Sequence, residues 1–407
     1  MIYAPTDLLT VYLEAGTRRK VGRLALRQRQ ILFEYDPSFI ASGIEISPFK
    51  LPLGPGVFTS PGAIFDGLYG VFNDSLPDGW GRLLLDRAVE KHGVRRGQLN
   101  PLDRLAYVGD NGMGALSYEP DLSKYSSDDM PLALDRLAEE SAIVLAGESE
   151  EVFEELLRLS GSSAGARPKI VAQVSADKTK IVHGRTQLKR GFEHWMIKFA
   201  NSQDPRDIGA IEYAYSLMAR DAGVDMAETH LFRTGKRGYF GAKRFDRKGD
   251  KRIHMHSLSG LIHADHRTPT LDYNMLLRVV LVLTKNIVEV EKAYALACFN
   301  VLAHNRDDHP KNFSFLLNDS NSWVFAPAYD LTFSDGPAGE QCTMVMGEGR
   351  NPGTEHLKTL GKEHDLKNAP GILAKVQKAV ARWRDHAAET GVSAKSIKRI
   401  ADRVRSR

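Results

Sequence analysis

The residues whose types and spacing could do chemistry lie in Asn305-Arg306-Asp307-Asp308-His309-Pro310-Lys311-Asn312 and, beyond two short apolar runs, in Ala328-Tyr329-Asp330. Asp307-x-x-x-x-Asn312, with Arg306 before the aspartate, matches the H-R-D-x-x-x-x-N catalytic loop of protein kinases, Asn305 standing where that loop has His. In such a loop the aspartate orients the attacking hydroxyl and accepts its proton, while the amide holds Mg2+. Phe313–Leu317 and Trp323–Ala326, joined at Asn318-Asp319-Ser320-Asn321, read as a hairpin. It returns Asp330 to Asn312 as a second metal-binding side chain, which ATP phosphates bridged by Mg2+ require. Lys311 could stabilise the transferred phosphate, and Asp308 could fix the loop. Tyr329-Asp330-Leu331 replaces D-F-G, so the following segment is not expected to switch as a protein-kinase activation loop does.

Phosphate handling is expected upstream. In Ser160-Gly161-Ser162-Ser163-Ala164-Gly165-Ala166-Arg167-Pro168-Lys169, small residues let backbone N–H groups approach phosphate oxygens, and Lys169 and Arg167 could add charge. Neither G-x-G-x-x-G nor G-x-x-x-x-G-K-[ST] is present, so the stretch alone reads equally as a structural loop. A lysine in the apolar strand Trp195-Met196-Ile197-Lys198-Phe199 either snorkels to solvent or holds an anion. Glu212, near the start of a helix over 207–222, favours the anion, because kinases aim a strand lysine at the α- and β-phosphates with a helical glutamate. Lys243-Arg244-Phe245 ends the sheet where a two-lobed kinase has its hinge; Phe245 is a candidate for packing on adenine and Lys243 for binding nucleotide.

The elements that must position these groups are legible in outline. Strands are expected over 8–13, within 20–34, at 170–174, 195–199, 228–233 and 238–245, and helices after Asp78, over 131–144, 148–159, 273–283 and 288–302. The chain therefore reads as α+β, a two-lobed protein-kinase-like fold with an antiparallel sheet and an extra small subdomain before a mostly helical carboxy-terminal lobe. Polar residues 123–129 suggest a boundary near 125, giving parts 1–125, 126–245 and 246–407. A length of 407 residues calls for more than one folding unit, and 42% apolar residues allow a sizeable core. A net charge of +4 gives no electrostatic case for a nucleic-acid binder. Two cysteines, Cys298 and Cys342, fit buried thiols in a reducing compartment, and with no signal-peptide pattern or membrane-length apolar run the expected location is cytoplasmic.

Taken together the motifs resemble the HipA family of serine/threonine kinases, toxins of bacterial type II toxin–antitoxin modules. The resemblance spans nearly the whole chain. It rests on Phe72-Asn73-Asp74-Ser75-Leu76-Pro77-Asp78-Gly79-Trp80-Gly81, Ser163 to Lys169, Trp195 to Phe199, Arg244-Phe245-Asp246-Arg247, Asn305 to Asn312 and Ala328-Tyr329-Asp330. It implies that Asp307 is the catalytic base, that Asn312 and Asp330 bind Mg2+, and that Lys198 contacts the ATP phosphates. It further implies autophosphorylation of the Gly-rich loop, by position at Ser162, adding about two negative charges and expelling the loop from the ATP site. Arg167-Pro168 and Lys243 depart from residues some members carry. The implied partners are a small DNA-binding, HipB-like antitoxin, operator DNA through that antitoxin, and a protein substrate such as an aminoacyl-tRNA synthetase.

Two other readings stay open: a small-molecule kinase, which leaves the Leu76-Pro77-Asp78-Gly79-Trp80 segment unexplained, and a silent corepressor. His254, His256, His263, His266 and His309 do not fit zinc spacings and read as solvent-facing. Pro77-Asp78-Gly79 reads as a corner, with Asp78 a possible helix cap. The end of the chain, with Ile397, Ile400 and Val404 among Lys395, Lys398, Arg399, Arg403 and Arg405, reads as a solvated basic helix or as a contact for operator phosphates.

Overall fold

The computed structural model describes the chain apart from residues 1–4, 61, 63, 92–93, 95, 124–130, 148–155, 158, 160–164, 166, 184–186, 236, 266–270 and 405–407. It forms two compact units: Met1–Gln203 with Lys243–His256 and Gly260–His263, and Asp204–Ala242 with Ser257–Ser259 and Ala264–Arg407.

In the first unit, β1 (Leu8–Ala15), β2 (Thr17–Arg27), β3 (Gln30–Tyr35), β4 (Val57–Thr59) and β5 (Leu116–Glu119) make an antiparallel sheet in the order β4-β3-β2-β1-β5. Strand alternation sends Leu9, Val11 and Leu13 to the buried face. Gln28 and Arg29, both at positive φ, form the two-residue connection from β2 to β3, the backbone that matches the right-handed twist of paired strands. Phe33 meets Phe72 with ring centroids 5.0 Å apart, anchoring the Phe72–Trp80 segment to this sheet. Helix α1 (Gly79–Lys91) starts at the expected corner, and α2 (Pro101–Val108) starts at a capping box formed by Asn100 and Asp103. After α3 (Leu134–Ala146), strand β6 (Lys169–Ser175) pairs antiparallel with both β7 (Ile181–Val182) and β8 (Phe192–Lys198). Most of the helix expected over 148–159 lies outside the described residues.

The second unit begins with α4 (Ile208–Asp221), whose Gly209 lies so close to the Gly238 carbonyl that a Cβ would overlap it. The β9 (Thr229–Arg233) and β10 (Gly238–Lys243) hairpin follows. The unit is then dominated by helices α5 (Tyr273–Thr284), α6 (Ile287–Leu302), α7 (Thr354–Glu363), α8 (Ala369–Ala381), α9 (Trp383–Thr390) and α10 (Ala394–Val404). Their core centres on α6, where Val290, Tyr294, Cys298, Phe299 and Val301 are buried, and on Tyr215 between Phe299 and Trp383. Each such large apolar side chain contributes roughly 1.5–3 kcal/mol by leaving water. The Tyr215 hydroxyl donates to the Ala303 carbonyl at 2.7 Å, fixing the end of α6 from which the chain enters Asn305–Asn312. Cys298 and Cys342 are buried free thiols, as expected. The fold is α+β with antiparallel sheets, and no described helix is long and apolar enough to cross a membrane.

Candidate active site

The second unit brings the expected catalytic-loop residues together. Asp307 is exposed, whereas its neighbour Asp308 is fully buried. Asn312 ends a short 3-10 turn, Pro310–Asn312, and its Nδ2 donates to the Asp307 carbonyl at 2.7 Å. That bond fixes which end of the amide is which and turns Oδ1, a hard oxygen, the other way. The hairpin of β11 (Ser314–Leu317) and β12 (Trp323–Phe325) forms in the register Phe315↔Phe325. Beyond it, the Tyr329 hydroxyl donates to the Lys311 carbonyl at 2.5 Å and lies 2.6 Å from Ser314 Oγ. The residue before Asp330 is thus bonded to residues on both sides of Asn312. Asp330 has φ +57°, a left-handed conformation that a non-glycine residue adopts only when its surroundings enforce it.

Behind the exposed Asp307 is a network that the sequence does not announce. Asp308 Oδ2 accepts from the Tyr273 hydroxyl at 2.6 Å and from Gln341 Nε2 at 2.9 Å, and Oδ1 accepts from the Thr343 amide at 3.1 Å. Asn300 links Tyr273 to Asn305 through bonds of 2.9 Å each, and Gln341 also donates to the Asn305 carbonyl at 2.8 Å. Burial pushes the Asp308 carboxyl up to about 7, against the opposing pull of these hydrogen bonds. Asp308 therefore fixes the loop, as its position suggested. Tyr273, Gln341 and Thr343 were missed because they lie some thirty residues away; the one local signal was Asn300, an amide in the apolar run 295–302. Arg306 reinforces the loop by donating to the Gly339 carbonyl and, at 2.9 Å, to that of Arg350.

The first unit holds the expected phosphate-binding residues. Lys169 and Lys198 are directly paired across β6 and β8, so both side chains stand on one face of the sheet; Lys169 is 3% exposed and Lys198 half-buried. Lys169 Nζ packs so close to Gly165 that a Cβ there would collide with it. Gly165, at φ +108°, accepts from the Trp80 amide at 3.1 Å and donates its N–H to the Asp78 carboxylate. The corner at Pro77-Asp78-Gly79 is thus a seat for this glycine. Ser162, Ser163, Ala164 and Ala166 lie outside the described residues. Glu212 is buried on α4 of the second unit.

The expected hinge residues have other engagements. Lys243 pairs with Glu193, which also holds Lys178 at 3.1 Å. Arg244 and Arg247 converge on the buried Asp246, with bonds of 2.7–2.9 Å. Arg247 and Arg252 donate to the carbonyls of Gly112 and Gly114 at 2.9–3.3 Å, and Asp246 accepts from the Gly114 amide. Arg244-Phe245-Asp246-Arg247 is a rivet onto the 110–116 loop, and Phe245 is half-buried beside it. The histidines are a correction. His254 and His256 are buried rather than solvent-facing: His254 Nε2 lies 2.9 Å from the Ile46 carbonyl, and His256 bridges Asp74 at 2.6 Å and Ser47 at 3.0 Å. His254 Nε2 and both ring nitrogens of His256 meet partners brought from far along the chain, which periodicity does not reveal. Among the described residues no group of His, Cys, Asp and Glu could form a metal cluster.

An amide oxygen at Asn312 and a carboxylate at Asp330 are oxygen ligands of the type Mg2+ takes, and two such ligands suffice for an ion that keeps phosphate oxygens and waters. Residues 161–407 match the family described as HipA-like C-terminal domain. The chain belongs to the HipA family. Residues 9–119 match the HipA N-terminal domain. Over 97% of this chain and 94% of its own, the HipA chain from a Shewanella oneidensis complex of HipA, HipB and operator DNA has the same fold, with a TM-score of 0.69 and 19% identity. The Helicobacter pylori proinflammatory kinase CtkA aligns with 52% of the chain and 90% of its own, at a TM-score of 0.34 and 13% identity. A Sinorhizobium fredii protein named "Putative kinase Y4dM" is 28% identical over 151 residues, 34% of this HipA-family chain. That match spans about a third of the relative's length, 36%.

Proposed function

We propose that this HipA-family protein is an ATP- and Mg-dependent kinase that transfers phosphate to protein serine or threonine. The carrying observation is the Asn312 amide bonded to the Asp307 carbonyl and the Tyr329 hydroxyl bonded to Lys311, which together hold the Asp307, Asn312 and Asp330 segments side by side. In this reading Asp307 orients the acceptor hydroxyl and takes its proton at the carboxylate, a general-base role worth about 10²–10⁴-fold in rate. Asn312 and Asp330 would hold Mg2+, which when bound neutralises phosphate charge. Lys169 and Lys198 would present two ammonium groups to phosphate oxygens from one sheet face. Lys311 would stabilise the transferred phosphate.

The finer reading follows the family. The Gly-rich loop is autophosphorylated at Ser162, the acceptor is a protein of the translation machinery such as an aminoacyl-tRNA synthetase, and a HipB-like antitoxin neutralises the activity and carries the protein to operator DNA in the cytoplasm. The Shewanella complex supports the antitoxin part. Purified protein with labelled ATP and Mg2+ tests it beside Asp307→Ala and Ser162→Ala. The wild type should label itself and an extract protein, Asp307→Ala neither, and Ser162→Ala only the extract protein. No transfer by an unphosphorylated preparation that binds ATP would overturn the kinase reading and favour the silent corepressor.

A further inference from the structure

The segment that follows Asp330 is clasped from the end of the chain. Ser334 pairs in parallel with Asn305: its amide donates to the His304 carbonyl at 3.1 Å, and the Arg306 amide donates to the Ser334 carbonyl at 3.3 Å. One residue on, Asp335 lies 3.1 Å from Arg399, 4.0 Å from Arg403 and 3.4 Å from His304. One residue back, Phe333 stacks on the His304 ring at 5.3 Å and carries the Arg399 guanidinium over its own ring, also at 5.3 Å. Two side chains, two positions apart, therefore grip the same pair of groups, one before the catalytic loop and one on α10. His304 and Asp330 both have left-handed φ, +55° and +57°, and such residues persist only where neighbouring structure holds them. Helix α10 is itself seated by buried Ile400, Ala401 and Val404, so Arg399 and Arg403 project from a fixed support.

We propose that Asp335 is a positioning residue for phosphoryl transfer, latched by Arg399 and Arg403 of the carboxy-terminal helix so that α10 sets the placement of Asp330 and of Arg306-Asp307. The proposal rests on the kinase reading above. It assigns the basic helix a role within the chain. The latch is half-exposed, with side-chain exposures of 46% for Asp335 and 62% for Arg399, so it acts on geometry more than on stability.

Two measurements on the full chain test it. In steady-state transfer, Asp335→Ala should lower kcat about fivefold and raise the Mg2+ concentration for half-maximal rate about threefold, with KM for ATP within about twofold of wild type. Arg399→Ala/Arg403→Ala should do the same, and the triple variant should lose no more than either, because the groups act as a unit. In amide hydrogen exchange, Asp335→Ala should speed Ser334 and Arg306 about tenfold while the amides of α6 keep their wild-type rates. Unchanged exchange at Ser334 and Arg306, or additive losses in the triple variant, would overturn the latch. Faster exchange in a protein that transfers no phosphate would leave the latch standing and overturn the kinase reading instead.

Discussion

Asp308 in the catalytic loop and Asp246 in the 243–256 strap are both fully buried, and their carboxyls are pushed in opposite directions. Asp308 is met by a phenol, an amide side chain and a backbone N–H, all neutral, and burial raises it to about 7. Asp246 suffers the same desolvation, but the Arg244 and Arg247 guanidinium groups and the Gly114 amide hold it well below the usual carboxylate range. Neutral donors can orient a loop without committing charge to the interior. Guanidinium groups commit charge and turn the carboxylate into a structural rivet that cannot be removed cheaply. The loop around Asp308 is built the first way and the strap the second.

The largest effect that tests this division is on activity. Asp307→Ala removes the exposed neighbour of Asp308 and should lower transfer about 10²–10⁴-fold while leaving the melting temperature within 1–2 °C, roughly the range of a surface change. Calorimetry beside the kinase assay checks both halves; a large loss of stability would mean that Asp307 shares the structural duty of Asp308. Asp246→Ala should do the reverse. It strands buried guanidinium groups and should cost about 3–5 kcal/mol in urea denaturation, because breaking a buried ion pair leaves charge uncompensated. A cost under about 1 kcal/mol would show that the carbonyls of Gly112 and Gly114 satisfy Arg247 and Arg252 unaided.

The opposed shifts also give opposed pH slopes. The folded-state pKa of Asp308 lies above its unfolded value of 3.8, so the native state binds the extra proton and stability falls as pH rises from about 4 to about 7. The folded-state pKa of Asp246 is depressed, so its contribution is present above pH 3.8 and is lost on acidification below it. Asp308→Asn should flatten the decline between pH 4.5 and 7.5, by an amount on the order of a few kcal/mol, since each pKa unit is worth 1.36 kcal/mol. Urea denaturation of wild type and variant at both pH values measures it. An unchanged slope would place the Asp308 carboxyl near its unfolded value and remove the contrast.

Much of this was legible in the sequence, and the division between what was and was not has a physical basis. Helices at 273–284 and 287–302 and strands at 229–233 and 238–243 follow from periodicity, which reports what each residue does within its own element. The placing of Asp330 beyond a hairpin that follows Asn312 was legible because the turn residues and strand alternation that set it are local. Tyr273 on Asp308, Gly165 on Asp78, and Asp335 under Arg399 depend on residues 35, 87 and 64 positions apart, and no local pattern encodes such meetings. The histidines went wrong for the same reason. A polar residue in a strand is exposed or paired according to what packs over it, and for His256 the cover is Asp74 and Ser47.

The smallest expected effect separates the strap from the nucleotide site. Lys243 was expected to bind nucleotide at a hinge, yet its ammonium pairs with Glu193, on β8 of the same unit, and Lys178 meets the other oxygen of that carboxylate. The Lys243 side chain is 36% exposed and Glu193 30%, so the pair contributes only about 0.2–1 kcal/mol in screened surroundings. Burial opposes ionisation of Glu193, but its two lysines outweigh that and leave its carboxyl below the usual range, so one lysine can be lost while the other keeps it charged. Lys243→Ala should therefore change KM for ATP less than about twofold, whereas Lys198→Ala should raise it at least tenfold, the loss of a charge-assisted phosphate contact worth about 1.5–3 kcal/mol. ATP titrations of both variants decide it. A tenfold effect at Lys243 would mean that Glu193 releases the lysine when nucleotide binds, making the end of β10 part of the site and the strap behind it something more than a rivet.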